Sequence, residues 1–106
     1  MTSRLLWRPP AVADLRDAYV WYEERQPGLG AEVIDAVERK LAQIESNPWQ
    51  FPAVRDVTRR AIVMRFPYGI FNVPRDQLVE VLAVIHHARA PLRWQRRILN
   101  QRGRRL

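Results

Sequence analysis

The stretch RRAIVMRFPYGIFNVPRDQLVEVLAVIHH, Arg59 to His87, decides the fold of this chain. It is dense in β-branched and aromatic residues, which suit a pleated, half-buried surface better than a helix. Two interruptions divide it. Pro67 separates Arg59–Phe66 from Tyr68–Val73, and PRDQ (Pro74–Gln77) forms a hairpin turn before Leu78–His87. The reading is three successive strands in a small antiparallel sheet.

Upstream of this stretch the period is helical. In SRLLWR (Ser3–Arg8) a short strand is closed by Pro9 and Pro10, which cannot continue a ladder but fit the first turn of a helix. From Pro10, Val12, Leu15, Tyr19 and Tyr22 fall at steps of three and four along one face, and Asp14 and Asp17 sit near the helix start, where the dipole favours them. RQPGLG (Arg25–Gly30) breaks the pattern and reads as a connector, not a phosphate loop. A second helix places Val33, Val37, Leu41 and Ile44 on one stripe, with Ile34 beside it, and ends at Asn47, before Pro48. The two helices form an antiparallel hairpin.

Downstream, ARAPLRWQRRILNQRGRRL predicts a short basic helix from Pro91 and a flexible tail. The order is β-α-α-β-β-β-α: an α+β domain over residues 1–98, with an N-terminal helical hairpin packed on one face of a small antiparallel sheet, and a basic tail over 99–106. Trp7, Trp21, Trp49 and Trp94 are read as core or helix-packing residues.

With 106 residues, 47% apolar and 27% charged, the chain is sized for one globular domain. It has no cysteine, so disulfides and thiolate metal sites are excluded. No run of about twenty apolar residues is present, and the expectation is a chain without a signal peptide, located in the cytoplasm away from membranes. Charge is unevenly spread. Residues 1–52 carry six basic residues against eight acidic, and residues 53–106 carry twelve against three, a net of −2 followed by +9. Of the eighteen basic residues only Lys40 is not arginine. Arginine's planar fork suits phosphate and carboxylate partners, and a basic half predicts an anionic one.

Four segments together resemble the RelE/ParE superfamily of toxins from type II toxin–antitoxin systems: WYEERQPGLG (Trp21–Gly30), NPWQFP (Asn47–Pro52), RRAIVMRFPYGIFN (Arg59–Asn72) and VLAVIHHARAPLRW (Val81–Trp94). Their order and spacing match over roughly residues 4–97. The resemblance implies a compact antiparallel sheet carrying a helical hairpin. It also implies a cognate antitoxin, usually acidic in the segment that covers the toxin. Members of one branch cut mRNA on the ribosome without a metal, and members of the other poison DNA gyrase without catalytic residues of their own. No cofactor is implied, and nothing in the sequence demands a homodimer.

For a ribonuclease the candidate catalytic residues are Arg65, His86, His87 and Arg89. One histidine, with a pKa of about 6.5, would serve as general acid or base, and arginines would stabilise charge on the scissile phosphate. Side chains alternate on a strand, so His86 is placed with Leu82 and Val84, and His87 with Ala83 and Ile85. Adjacent strand histidines grip no common ion, and no metal site is read here. The competing reading has both histidines capping the sheet edge. Arg60 and Arg65, five apart, fall on opposite faces of a regular strand. The candidates for target or antitoxin binding are Arg59, Arg60, Arg65, Arg89, Arg93, Trp94, Arg96 and Arg97.

The ribonuclease branch commonly places lysines and a tyrosine near the end of its last strand and the following helix. Here the second half has no lysine, and Trp94 stands in about that region. Tryptophan stacks on a base but is a donor only and relays no proton. Tyr68 remains as a proton carrier, although FPYGIF reads first as a strand entry with Tyr68 packed. The balance favours a ParE-like toxin that binds its target, DNA gyrase, over a ribonuclease acting on ribosome-bound mRNA. A non-toxic binding module of the same fold is the third reading.

Overall fold

The computed structural model describes residues 3–86 and 95–97. Strand β1 (Arg4–Trp7) leads into helix α1 (Pro9–Arg25) and helix α2 (Leu29–Ser46). A single 3₁₀ turn (Pro48–Gln50) precedes β2 (Ala53–Arg55), β3 (Thr58–Ile62), β4 (Tyr68–Arg75) and β5 (Leu78–His86). The five strands form one sheet in the order β1-β5-β4-β3-β2. The α+β class, the helical hairpin and the strand order along the chain are as the sequence predicts.

Three details differ. Strand β1 joins the sheet in parallel, with Arg4 opposite Leu78 and Trp7 opposite Val81, so the sheet is mixed. The two-helix excursion between β1 and the rest of the sheet makes this pairing possible, because a parallel neighbour needs a long crossover. A three-residue β2 adds an edge, pairing with β3 through a bulge between Ala53 and Arg55. Strand β3 stops at Ile62, short of the predicted Phe66. Arg65 takes a φ of 80°, which no strand accommodates, and the Tyr68 amide turns back to the Phe66 carbonyl at 2.8 Å.

Helix α1 begins at the two prolines and ends where the Gln26 amide reaches the Tyr22 carbonyl at 3.1 Å. Gly28, at φ 90°, makes the left-handed step into α2. The cap of α2 comes from the preceding helix: Glu23 accepts the Gly28 amide on both carboxylate oxygens and the Gly30 amide on one, each at 3.0 Å. A carboxylate suits the positive end of the α2 dipole. Beyond it the helices close tightly, since a Cβ on Gly30 would lie 2.8 Å from both the Tyr19 ring and its carbonyl oxygen.

The predicted α2 stripe is the core. Val33, Val37, Leu41 and Ile44 pack with Ala11 and Ala18 of α1 against Ala61, Ile70, Val79, Val81 and Val84 of the sheet. Each such valine or isoleucine contributes roughly 1.5–3 kcal/mol on full burial. The opposite face of the sheet is also buried, through Phe71, Val73, Leu82, Ala83 and Ile85, with Val54 packed beside them. Burial on both faces explains the unbroken apolar run over residues 81–85 of β5. Within that run Phe71 pairs with Ala83 and Asn72 with Val81, which leaves Leu82 as a bulge. The bulge reverses the alternation: Val79, Val81 and then Val84 face the helices, while Leu82 faces away. The expected sharing of one face by Leu82 and His86 therefore fails.

Candidate functional site

Three of the four family-like segments meet at the end of the sheet where β4 begins and β5 finishes. Tyr68 pairs in register with His86, and their rings meet edge to face at 5.3 Å. Tyr22 of α1 meets Phe66 at 5.2 Å and Tyr68 at 6.2 Å, and Trp21 meets Tyr22 at 4.7 Å. This aromatic series runs from the outer side of α1 to the last described residue of β5. It explains why tryptophan and tyrosine of the first segment, FPY of the third and a histidine of the fourth belong together. Tyr68 is only 4% exposed, so it packs as FPYGIF first suggested and is poorly placed to carry protons to a ligand.

Arg65 projects from the turn between β3 and β4, about half exposed, and pairs with Glu32 in the first turn of α2. Its guanidinium also lies 5.1 Å from the Phe66 ring. Arg60 is on the other side of the sheet, where its aliphatic stem runs across Gly69. A Cβ at Gly69 would come within 3.1 Å of the Arg60 Cγ and Cδ. Arg60 and Arg65 thus serve opposite faces, but Arg65 does so from the turn beyond β3 and not by alternation along a strand.

The remaining arginines disperse further. Arg59 is half-buried and donates to the carbonyls of Trp49, at 3.3 Å, and Phe51, holding the 3₁₀ turn onto β3. Residues 95–97 are helical, with Arg96 exposed. Arg97 is fastened inward, donating to the Asp14 carboxylate and, at 3.2 Å, to the Pro10 carbonyl. His87, Arg89, Arg93 and Trp94, like the tail 99–106, lie outside the described residues.

Two features escaped the sequence reading. Trp49, read as a packing residue, is 56% exposed. Glu80, in the middle of β5, is 3% exposed and held by Arg8 at 3.3 Å and Arg75 at 2.6 Å. A buried carboxylate requires such partners. The signal was a lone acid inside an apolar strand, with one arginine after β1 and another at the hairpin.

Among the described residues no group of three or more His, Asp or Glu side chains is placed to hold a metal ion. Nor is any described helix long and apolar enough to cross a membrane. Among the described residues the arrangement is a half-exposed arginine on a left-handed turn, paired with Glu32, and a histidine packed on Tyr68, while Arg59 and Arg97 are committed to internal contacts.

Comparison with known proteins places this geometry. No curated protein matches the chain. A solved structure described as "Chromosomal ParDE TA system from P. aeruginosa" superimposes with a TM-score of 0.69 at 17% identity, covering 78% of this chain and 94% of that one. At that identity the likeness speaks for the fold. The profile of the family described as "ParE toxin of type II toxin-antitoxin system, parDE" matches residues 5–91, most of the sequence. The chain belongs to the ParE toxin family of type II toxin–antitoxin systems.

Proposed function

We propose that this ParE-family protein arrests growth in the cytoplasm by binding DNA gyrase, and that a cognate antitoxin neutralises it by covering the same basic surface. The observation that supports binding over chemistry is the engagement of the two nuclease candidates that lie among the described residues: Arg65 is turned to Glu32 on α2, and His86 is packed on buried Tyr68. Metal-free RNA cleavage needs an acid–base group and cations around one phosphate. The net charge of +9 over residues 53–106 supports an acidic antitoxin segment as the inhibitor.

The test is a gyrase supercoiling assay with purified toxin, run beside mapping of new RNA 5′ ends after induction in bacteria lacking the antitoxin. Inhibition with trapped DNA breaks and no new cuts in translated messages supports the proposal. Cuts within messages would replace gyrase by ribosome-bound mRNA. Absence of arrest would leave a non-toxic binding module.

A further inference from the structure

We infer that the corner of the molecule centred on Trp49 is a binding site for single-stranded nucleic acid, with Trp49 as its stacking surface. The inference starts from an exposed ring on an unusually well-fastened turn. Trp49 is 56% exposed, yet its flanking residues are fixed: Pro48 is buried, and the Asn47 side chain accepts the Trp49 amide at 3.2 Å. Gln50 Nε2 donates to the Gln43 and Asn47 carbonyls at 3.1 and 2.9 Å. Arg59 holds the carbonyls of Trp49 and Phe51 from below. Packing does not require so exposed an indole, and a rigid turn presents it with little left to order on binding.

The surroundings select the ligand. The Arg59 guanidinium lies 5.0 Å from the Trp49 ring centroid, so a cation backs the indole, and among the described residues no carboxylate pairs with Arg59. Lys40 Nζ, in the second half of α2, sits 5.6 Å from the ring of Phe51, which closes the same turn. A half-exposed indole with Arg59 stacked on it and Lys40 on the neighbouring ring is a combination that takes a base on the remaining aromatic surface and phosphates on the cations, with little sequence preference. An apolar protein segment would use the ring but leave these cations without counter-charge.

The site is tested on the full chain by fluorescence anisotropy at low salt, with fluorescein-labelled oligothymidylate and oligouridylate of about fifteen nucleotides, a length that spans one small site. Trp49→Ala is expected to weaken binding by about ten-fold, the loss typical of one stacked base, and Trp49→Phe to keep most of it. A second measurement uses unlabelled oligothymidylate: it should quench tryptophan emission in the wild type and much less in Trp49→Phe, where the ring still stacks but the reporting indole is gone. Thermal melts confirm that both variants fold. Equal affinity of Trp49→Ala and wild type, or equal affinity for a duplex of the same length, would reduce the interaction to general charge attraction and overturn the inference. No binding at low salt would also overturn it.

Discussion

Asp14 of α1 accepts the backbone N–H of Val84 at 2.9 Å, joining the first helix to the last strand across seventy residues of sequence. The contact exists because β1 pairs with β5 only as far as Val81. Beyond that point the edge of β5 has lost its neighbour, and a helix side chain takes the place of a strand carbonyl. Asp14 also pairs with Arg97, so one carboxylate fastens the strand edge and the 95–97 turn to α1.

Removing that carboxylate should therefore cost more than an ordinary surface change. Asp14→Ala leaves a buried N–H without an acceptor, and a loss of about 1–3 kcal/mol is expected in urea unfolding. Asp14→Asn retains an acceptor for Val84 and loses only the charge, so its midpoint should fall less. If Arg97→Ala destabilises as strongly as Asp14→Ala, the ion pair rather than the strand contact carries the effect.

The connector between the helices gives a second prediction. Glu23 supplies all the described side-chain capping at the start of α2, through the Gly28 and Gly30 amides. Glu23→Ala should lower stability by about 1–2 kcal/mol, the range of lost helix caps. Added salt should remove only the part of this difference that comes from the helix dipole, because the directed hydrogen bonds at 3.0 Å remain. A melting temperature unchanged by the substitution would show that water replaces the cap.

At Gly30 the prediction is steric. A methyl group there meets both the ring and the backbone oxygen of Tyr19 at 2.8 Å. Gly30→Ala should destabilise by about 1–3 kcal/mol through overpacking. Shortening the ring cannot relieve the backbone contact, so Gly30→Ala combined with Tyr19→Ala should remain less stable than Tyr19→Ala alone. Full recovery in the double variant would place the whole clash on the ring.

These positions also show which parts of the molecule the sequence reveals. The α2 stripe was legible because Val33, Val37, Leu41 and Ile44 face one core while the other side is solvated. Strands β4 and β5 were legible from their composition. The orientation of β5 was not, because both its faces are buried, and the bulge at Leu82 leaves no trace in an unbroken apolar run. The parallel pairing of four-residue β1 depends on contacts with residues 78–81, which local pattern does not encode. Asp14 lies in the second turn of α1, and its partners are an amide on β5 and a guanidinium near the C-terminus, so a dipole reading of its position missed both. For the site, the direction of Arg65 did not follow from spacing, because the residue lies in a turn beyond the end of β3. Nor was the exposure of Trp49 legible, since a tryptophan between two prolines reads equally well as packing.

The last prediction concerns the turn at Arg65, where backbone and side chain make opposite demands. A φ of 80° favours glycine, and holding a side chain there costs of order 1–3 kcal/mol. The pair with Glu32 joins two half-exposed groups, and exposed pairs return at most about 1 kcal/mol. Stability alone would therefore select glycine, and arginine is better explained by a role outside the fold. Arg65→Gly should be as stable as the wild type or more so, while Arg65→Ala should be less stable because the strain remains and the pair is lost. Both should weaken growth arrest on induction. Glu32→Ala frees the same guanidinium and should leave arrest intact or strengthen it. Chemical denaturation of the purified variants, set beside growth curves, separates the two demands. Unimpaired arrest by Arg65→Gly would return Arg65 to a purely structural role.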